Sequence, residues 1–442
     1  MASQVVSLPW GRESLSLTLP ADWQLKGVLE PASPPAVTDV NAEVQRSLEA
    51  PIASERLLNL AGADKKIALV IDDDSRPTPV AKMLPPLFAE LNRAGVGFGQ
   101  ITIVTALGVH RPMQEEELRQ RVGGHWLDGY DGQAPLRWEN HNCDEAQGLR
   151  FLGTTKRGVP VYLNKTVAEA DLVILVGCIE PHTIASFGGG YKNLIPGVAG
   201  RQTIAANHAL NCQPETFNNA GQPVERNPMR LDLEEGAQML PQPVFVVNAV
   251  LNSALEVVKV VCGHPLEAHR AGAQASAQIY GVQLPCLGDV VITTSHPMDQ
   301  DLRQGVKALA NNIRAVRRGG TMIVLVRAEE GVGVFGLANR KLPVGRSALK
   351  LLAPILLPLV PKLSLKGMGE EDKFFLYFAL QAMRRCNLLL YAPSIPVELH
   401  ERLPFVRFVS SLEEAIALTQ VQTPAKVLVI PHGGSTYPIL PV

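Results

Sequence analysis

Six short apolar runs, each stopped by a polar or glycine-rich corner, limit what this chain can fold into. They are Lys66–Ile71 before Asp72, Ile101–Thr105 before Gly108, Asp171–Val176 before Glu180, Asp289–Thr294, Thr321–Val326 before Glu329, and Ala425–Ile430 before His432. Runs of this length without polar alternation suit strands covered on both faces, as in parallel sheets flanked by helices. Helical segments fit between them at Pro79–Ala94, Gln114–Val122, Asn164–Ala170 and about Asp299–Arg317, a βαβ rhythm in each half of the chain. The chain is therefore read as α/β, with two domains of mainly parallel sheet flanked by helices, the second Rossmann-like. The Ala-, His- and Gly-rich stretch from Gly263 to Leu287 separates the two rhythms. The expected domains are residues 1–275 and 276–420, with 421–442 returning to the first.

Composition agrees and narrows the function classes. The 442 residues are 46% hydrophobic and 19% charged, and 41 Lys+Arg nearly balance 42 Asp+Glu. Such a chain is neither disordered nor collagen-like, and it is no coat for a nucleic acid. Six scattered cysteines without a CxxC pair suit a reduced, cytoplasmic protein rather than a disulfide scaffold. Residues Met1–Pro20 lack the basic start and apolar run of a signal peptide and read as a β-hairpin. The most apolar stretch, Leu349–Leu365, is broken by Pro354, Pro358 and Pro361 and is too short to span a bilayer. A packed helix pair, a Pro-kinked lid and a docking surface all remain open for it.

Three corners carry chemistry. The first, Asp72-Asp73-Asp74-Ser75-Arg76-Pro77-Thr78-Pro79, lies between a strand and a helix, where backbone amides and hydroxyls suit an anion. Three aspartates suggest a divalent cation instead, but Arg76 opposes a simple cation site; a plain capped helix start is the third reading. In the second corner Gly108 permits a tight turn beside His110, a residue able to act as acid or base near neutral pH. The third runs from Glu180-Pro181-His182 through Gly188-Gly189-Gly190-Tyr191-Lys192 to Asn207-His208. It has neither P-loop nor GxGxxG spacing, which disfavours an ordinary ATP or NAD site. Lys192 can meet a phosphate or bond to a carbonyl carbon. His208 reads as a metal ligand or a core histidine, and spacing alone favours the core reading.

Taken together, Asp73-x-Ser75-Arg76-Pro77, Gly108-x-His110-Arg111, Glu180-x-His182, Phe187-Gly188-Gly189-Gly190-x-Lys192, Pro196-Gly197 and Asn207-His208 resemble the nickel-dependent lactate racemase family. The segment Asp299-Gln300-Asp301-Leu302-Arg303-Gln304-Gly305-Val306-Lys307 in the second half matches as well. The resemblance implies a racemase or epimerase of a 2-hydroxy acid, using a nickel-pincer nucleotide supplied by separate cofactor-synthesis proteins. It implies His110 and His182 as the acid/base pair, Lys192 as the covalent anchor of the cofactor, and His208 as the nickel ligand. Asp73, Asp74, Ser75, Arg76, Gly188, Gly189 and Gly190 would line the nucleotide. Arg76, Arg303, Gln304 and Lys307 would hold the substrate, in a site closed by the interdomain cleft. Arg303 stands where lactate racemases tend to carry tyrosine, so a larger or more anionic substrate is expected: malate, 2-hydroxyglutarate or an aldonate. A hydride-transfer oxidoreductase that releases the keto acid, or a non-catalytic nucleotide or nickel carrier, is the alternative. Neither a nucleic acid nor a membrane is expected as a partner, and a homo-oligomer is compatible with the sequence.

Overall fold

The computed structural model describes residues 4–333, 336–339, 341, 344–362 and 370–441. Among them, most strands gather into two six-stranded sheets. The Ile67–Asp72 strand is buried along its whole length, which is why its sequence is apolar without alternation. It pairs in parallel with Ile101–Ala106 on one side and Leu172–Cys178 on the other. Arg137–Asn140 extends the sheet beyond Ile101–Ala106. Val244–Leu251 extends it beyond Leu172–Cys178, and the antiparallel strand Val257–Gly263 closes that edge. The helix Val80–Arg93 covers one face with Val80, Met83, Leu84, Leu87 and Leu91, which recur at helical spacing.

In chain order the strands step outward from Ile67–Asp72 and then restart on its other side with Leu172–Cys178. The loops after these two strands diverge around a crevice at the switch in strand order, the place where open α/β sheets bind ligands. The first and third chemical corners are those loops.

The second sheet is parallel throughout, in the order Arg407–Val409, Asn387–Tyr391, Val316–Leu325, Gly288–Thr294, Ala425–Ile430, Trp23–Val28. This corrects the expected course of the tail. Ala425–Ile430 does not return to the first sheet; it lies inside the second, and the N-terminal strand Trp23–Val28 completes the edge beside it. The physical reason is its nearly complete burial, which calls for partners on both sides. The N-terminal hairpin, Val5–Trp10 with Glu13–Thr18, also packs against this sheet through Val6, Leu8 and Leu17.

Much of the stretch between the two rhythms is a helix, Glu267–Tyr280. The last strand, Tyr437–Ile439, pairs with Gly281–Gln283, and the Tyr437 ring stands edge-on to Phe187 with centroids 6.3 Å apart. Within Leu349–Leu365, the helix Arg346–Leu356 turns Leu349 and Ala353 inward and leaves Leu351 and Ile355 exposed. Residues 363–365 of that stretch lie outside the described residues. Among the described residues no helix is long and apolar enough to cross a membrane.

Candidate active site

The corner after Ile67–Asp72 is held from beneath. Asp72 is buried, accepts a hydrogen bond from the Thr78 hydroxyl at 2.5 Å and pairs with Arg121. Burial raises its pKa, and the Arg121 charge works against that rise. Arg121 also donates to the carbonyls of Asp72 and Arg76 at 2.7 and 3.1 Å, so one guanidinium pins both ends of the turn. Asp73 accepts from the Ser75 hydroxyl at 2.6 Å and meets His110 Nδ1 at 2.6 Å. Burial opposes its ionisation, but these hydrogen bonds and the nearby His110 and Arg76 charges hold its carboxyl at about 2. Arg76 reaches across the crevice to Glu180 at 2.6 Å.

His182 is fixed differently. Its Nδ1 accepts from the backbone amides of Ile184 and Ala185 at 3.3 and 3.2 Å, which places the hydrogen of the neutral ring on Nε2. Burial, then the charges of Lys192, Arg76 and Lys307, push its pKa well below the ordinary value. The same causes act on Lys192: burial and the Arg76 charge lower its amine to about 7. The glycine turn before Lys192 is pinned by buried polar groups. Asn248 Oδ1 accepts from Gly190 N at 2.7 Å, His269 Nε2 donates to the Gly188 carbonyl at 2.9 Å, and Arg230 donates to the Gly189 carbonyl at 3.3 Å. Gly189 and Gly190 have φ of +72° and +60°, and a Cβ on Gly189 would lie 2.9 Å from the Cys178 carbonyl, so only glycine fits there.

The facing wall comes from the second sheet. Asp301 caps the helix Leu302–Asn312 by accepting from Gln304 N at 2.7 Å. The first turns of that helix bring Arg303, Gln304 and Lys307 to the same cavity as His110, His182 and Lys192. Burial and the Arg76 charge lower the Lys307 amine to about 8. Gln304 Oε1 is buried with no hydrogen-bond partner among the described residues, an acceptor still to be satisfied. The Thr183 hydroxyl donates to Asn311 at 2.9 Å and Arg314 to the Asn218 carbonyl at 2.7 Å, tying the two walls together beside the cavity.

A cavity between two mainly parallel sheets that gathers two histidines, two lysines of lowered pKa and a cross-crevice Arg–Glu pair invites comparison with known proteins. Residues 10–219 match the family model "Lactate racemase N-terminal domain". A lactate racemase of Thermoanaerobacterium thermosaccharolyticum is 30% identical over 335 residues, 75% of this chain and 76% of that protein. This chain belongs to the lactate racemase family. A second member, the lactate racemase of Lactiplantibacillus plantarum, is 29% identical over 299 residues, 66% of this chain and 67% of that one. The structure of the lactate racemase apoprotein from Thermoanaerobacterium thermosaccharolyticum matches with a TM-score of 0.83 at 26% identity, covering 99% of this chain and all of the other. A Thermotoga maritima protein at 15% identity and a TM-score of 0.66, covering 93% of this chain and all of that one, shares the fold.

Of the residues singled out in sequence, Asp73, Arg76, His110, His182, Gly188, Gly189, Lys192, His208, Arg303, Gln304 and Lys307 all line the one cavity. Ser75 stands behind Asp73, and Gly190 lies under Arg230 and Asn248. Asp74 departs from its expected place: it is exposed, faces Arg111 at 3.7 Å and takes no part in the cavity wall. Its carboxylate faces the Arg111 guanidinium at the surface instead. His208 is half-buried on the helix Arg201–Ala209, with Nδ1 donating to the Ile204 carbonyl at 2.7 Å. The sequence by itself assigns Glu180 no role, although it stands in the same motif as His182. It gives no sign of Arg121, Arg230 and His269, because nothing local distinguishes a buried Arg or His from a surface one.

Proposed function

We propose that this protein is a racemase or epimerase of a 2-hydroxy acid, working by reversible hydride transfer to a nickel-pincer nucleotide with His110 and His182 as acid and base. As a member of a racemase family it is an isomerase acting on hydroxy acids. The observation that carries the mechanism is the opposite nitrogen setting of two histidines on one cavity. Asp73 holds the hydrogen of His110 on Nδ1, so Nε2 is the nitrogen available to accept a proton. The amides of Ile184 and Ala185 occupy Nδ1 of His182, so its Nε2 carries the hydrogen.

The residues present fit the cofactor. An amine lowered to about 7 makes Lys192 nucleophilic at neutral pH, as a covalent anchor requires. The Nδ1 hydrogen bond of His208 sets Nε2 as the lone-pair nitrogen, the form that binds nickel. The group, when bound, would supply reversible acceptance of hydride from C2.

The chain's own residues do the rest. Arg76, Lys307 and the N-terminal end of Leu302–Asn312 attract the substrate carboxylate. His110 Nε2 takes the hydroxyl proton, and the Asp73 carboxylate stabilises the imidazolium that forms. After the planar keto acid turns over its other face, its oxygen regains a proton from His182 in its imidazolium form, and proton exchange of both rings with water then releases the proton held by His110 and recharges His182. Proteins that make and deliver the cofactor are its partners in this reading.

The test is racemisation of chiral 2-hydroxy acids by nickel-loaded protein in deuterated water. Loss of optical activity with little deuterium at C2 supports it. Accumulation of keto acid makes the protein an oxidoreductase, and binding without turnover makes it a carrier.

A further inference from the structure

The cavity continues past the groups that recognise the head of a 2-hydroxy acid. At about 100° per residue, the helix Leu302–Asn312 presents two adjacent stripes to it. Arg303, Gln304, Lys307 and Asn311 form a polar stripe, and Leu302, Val306, Leu309 and Ala310 an apolar one beside it. Beyond the apolar stripe the wall is built by Phe374, Phe375, Phe378 and Ala379 of the helix Glu370–Arg385. Leu388 and Leu390 of the second sheet complete it. None of these phenylalanine, leucine and alanine side chains is charged.

We propose that this apolar annex receives the substrate's side chain, and that the substrate is a 2-hydroxy acid bearing a bulky aromatic or branched-alkyl group. The proposal rests on the racemase reading above and names its substrate class. A molecule with carboxylate and hydroxyl at one end and a hydrocarbon group at the other matches the two stripes in order. Arg303 then adds to the cations around the C1 carboxylate instead of meeting a second one. The second carboxylate of malate would lie among phenylalanine and leucine side chains that offer no donor, a costly burial. The methyl group of lactate would leave most of the annex unfilled and forgo the gain of removing apolar surface from water.

The experiment compares kcat/KM of the nickel-loaded enzyme for 2-hydroxy-3-phenylpropanoate, 2-hydroxy-4-methylpentanoate, lactate and malate. One or both bulky acids should exceed lactate and malate by at least about tenfold. Ala379→Phe, which narrows the annex, should lower the ratio of the bulky acid's kcat/KM to that of lactate by about tenfold. Preference for malate or lactate, or an unchanged ratio in the variant, overturns the proposal. Calorimetric binding of phenylpyruvate, pyruvate and oxaloacetate to the wild-type protein gives a second, turnover-independent readout. If no hydroxy acid is racemised, the racemase reading fails. Tightest binding of phenylpyruvate would then still support the annex, and tightest binding of oxaloacetate would overturn it.

Discussion

His110 and His182 reach one cavity from strands on either side of Ile67–Asp72, yet they are held by opposite kinds of partner. His110 leans on a carboxylate kept ionised at about 2 by its hydrogen bonds. His182 leans on two backbone amides, and burial, then the charges of Lys192, Arg76 and Lys307, disfavour its charged form. The acid/base pair of the proposed mechanism is therefore not chemically symmetric. In the proposed cycle His110 starts as the proton acceptor at Nε2 and His182 acts in its protonated form, and the lowered pKa of His182 makes its imidazolium the stronger proton donor once it forms.

The sharpest way to break this comparison is to remove each ring. His110→Ala and His182→Ala should each lower racemisation by about 10²–10⁴-fold while metal analysis finds nickel content unchanged. A variant that keeps full activity would remove that histidine from the mechanism. Next comes the cationic surround of His182, read through Lys192. Because its folded pKa lies near 7 rather than 10.5, its neutral fraction rises through pH 7 and is complete well below the range where ordinary lysines react. Amine labelling followed by mass spectrometry should show Lys192 half-reacted near pH 7, and about 10²-fold faster there than exposed lysines. A midpoint near pH 10 would dissolve the contrast between the two corners.

Asp73→Asn tests the carboxylate side. It should reduce kcat by about 10–100-fold with little change in KM, since Asp73 acts through His110. A pure KM effect would place Asp73 on the substrate instead. Glu180→Gln deprives Arg76 of its partner and should raise KM about tenfold. It also removes an anion that favours charged Lys192, so the labelling midpoint should move below pH 7. Ser75→Ala, which removes one of two hydrogen bonds to Asp73, should cost about twofold to fivefold in kcat.

Much of this was legible before any coordinates. The strands that carry the site announce themselves as apolar runs ending in polar corners, and the two histidines, Lys192 and the Arg303–Lys307 turn stand in recognisable motifs. The course of the tail was not legible, because the run Ala425–Ile430 says that it is buried on both sides but not which strands bury it. Asp74 is not distinguishable from Asp73 in sequence for a similar reason: residue type does not say which of the three aspartates are buried and which faces Arg111 at the surface.

Local chemistry, then, was determined by the sequence alone: which segments are strands, which corners bear acids, bases and a nucleophile, and which family the chain resembles. Tertiary structure alone decided what those groups touch. Arg76 and Glu180 are 104 positions apart, and His110 and Asp73 are 37 apart. The apolar annex draws on a helix and a sheet more than 60 positions beyond Lys307 in the chain. Strand propensity is a property of a few consecutive residues, whereas partner choice, burial and the field at a titrating group are sums over neighbours that only folding brings together.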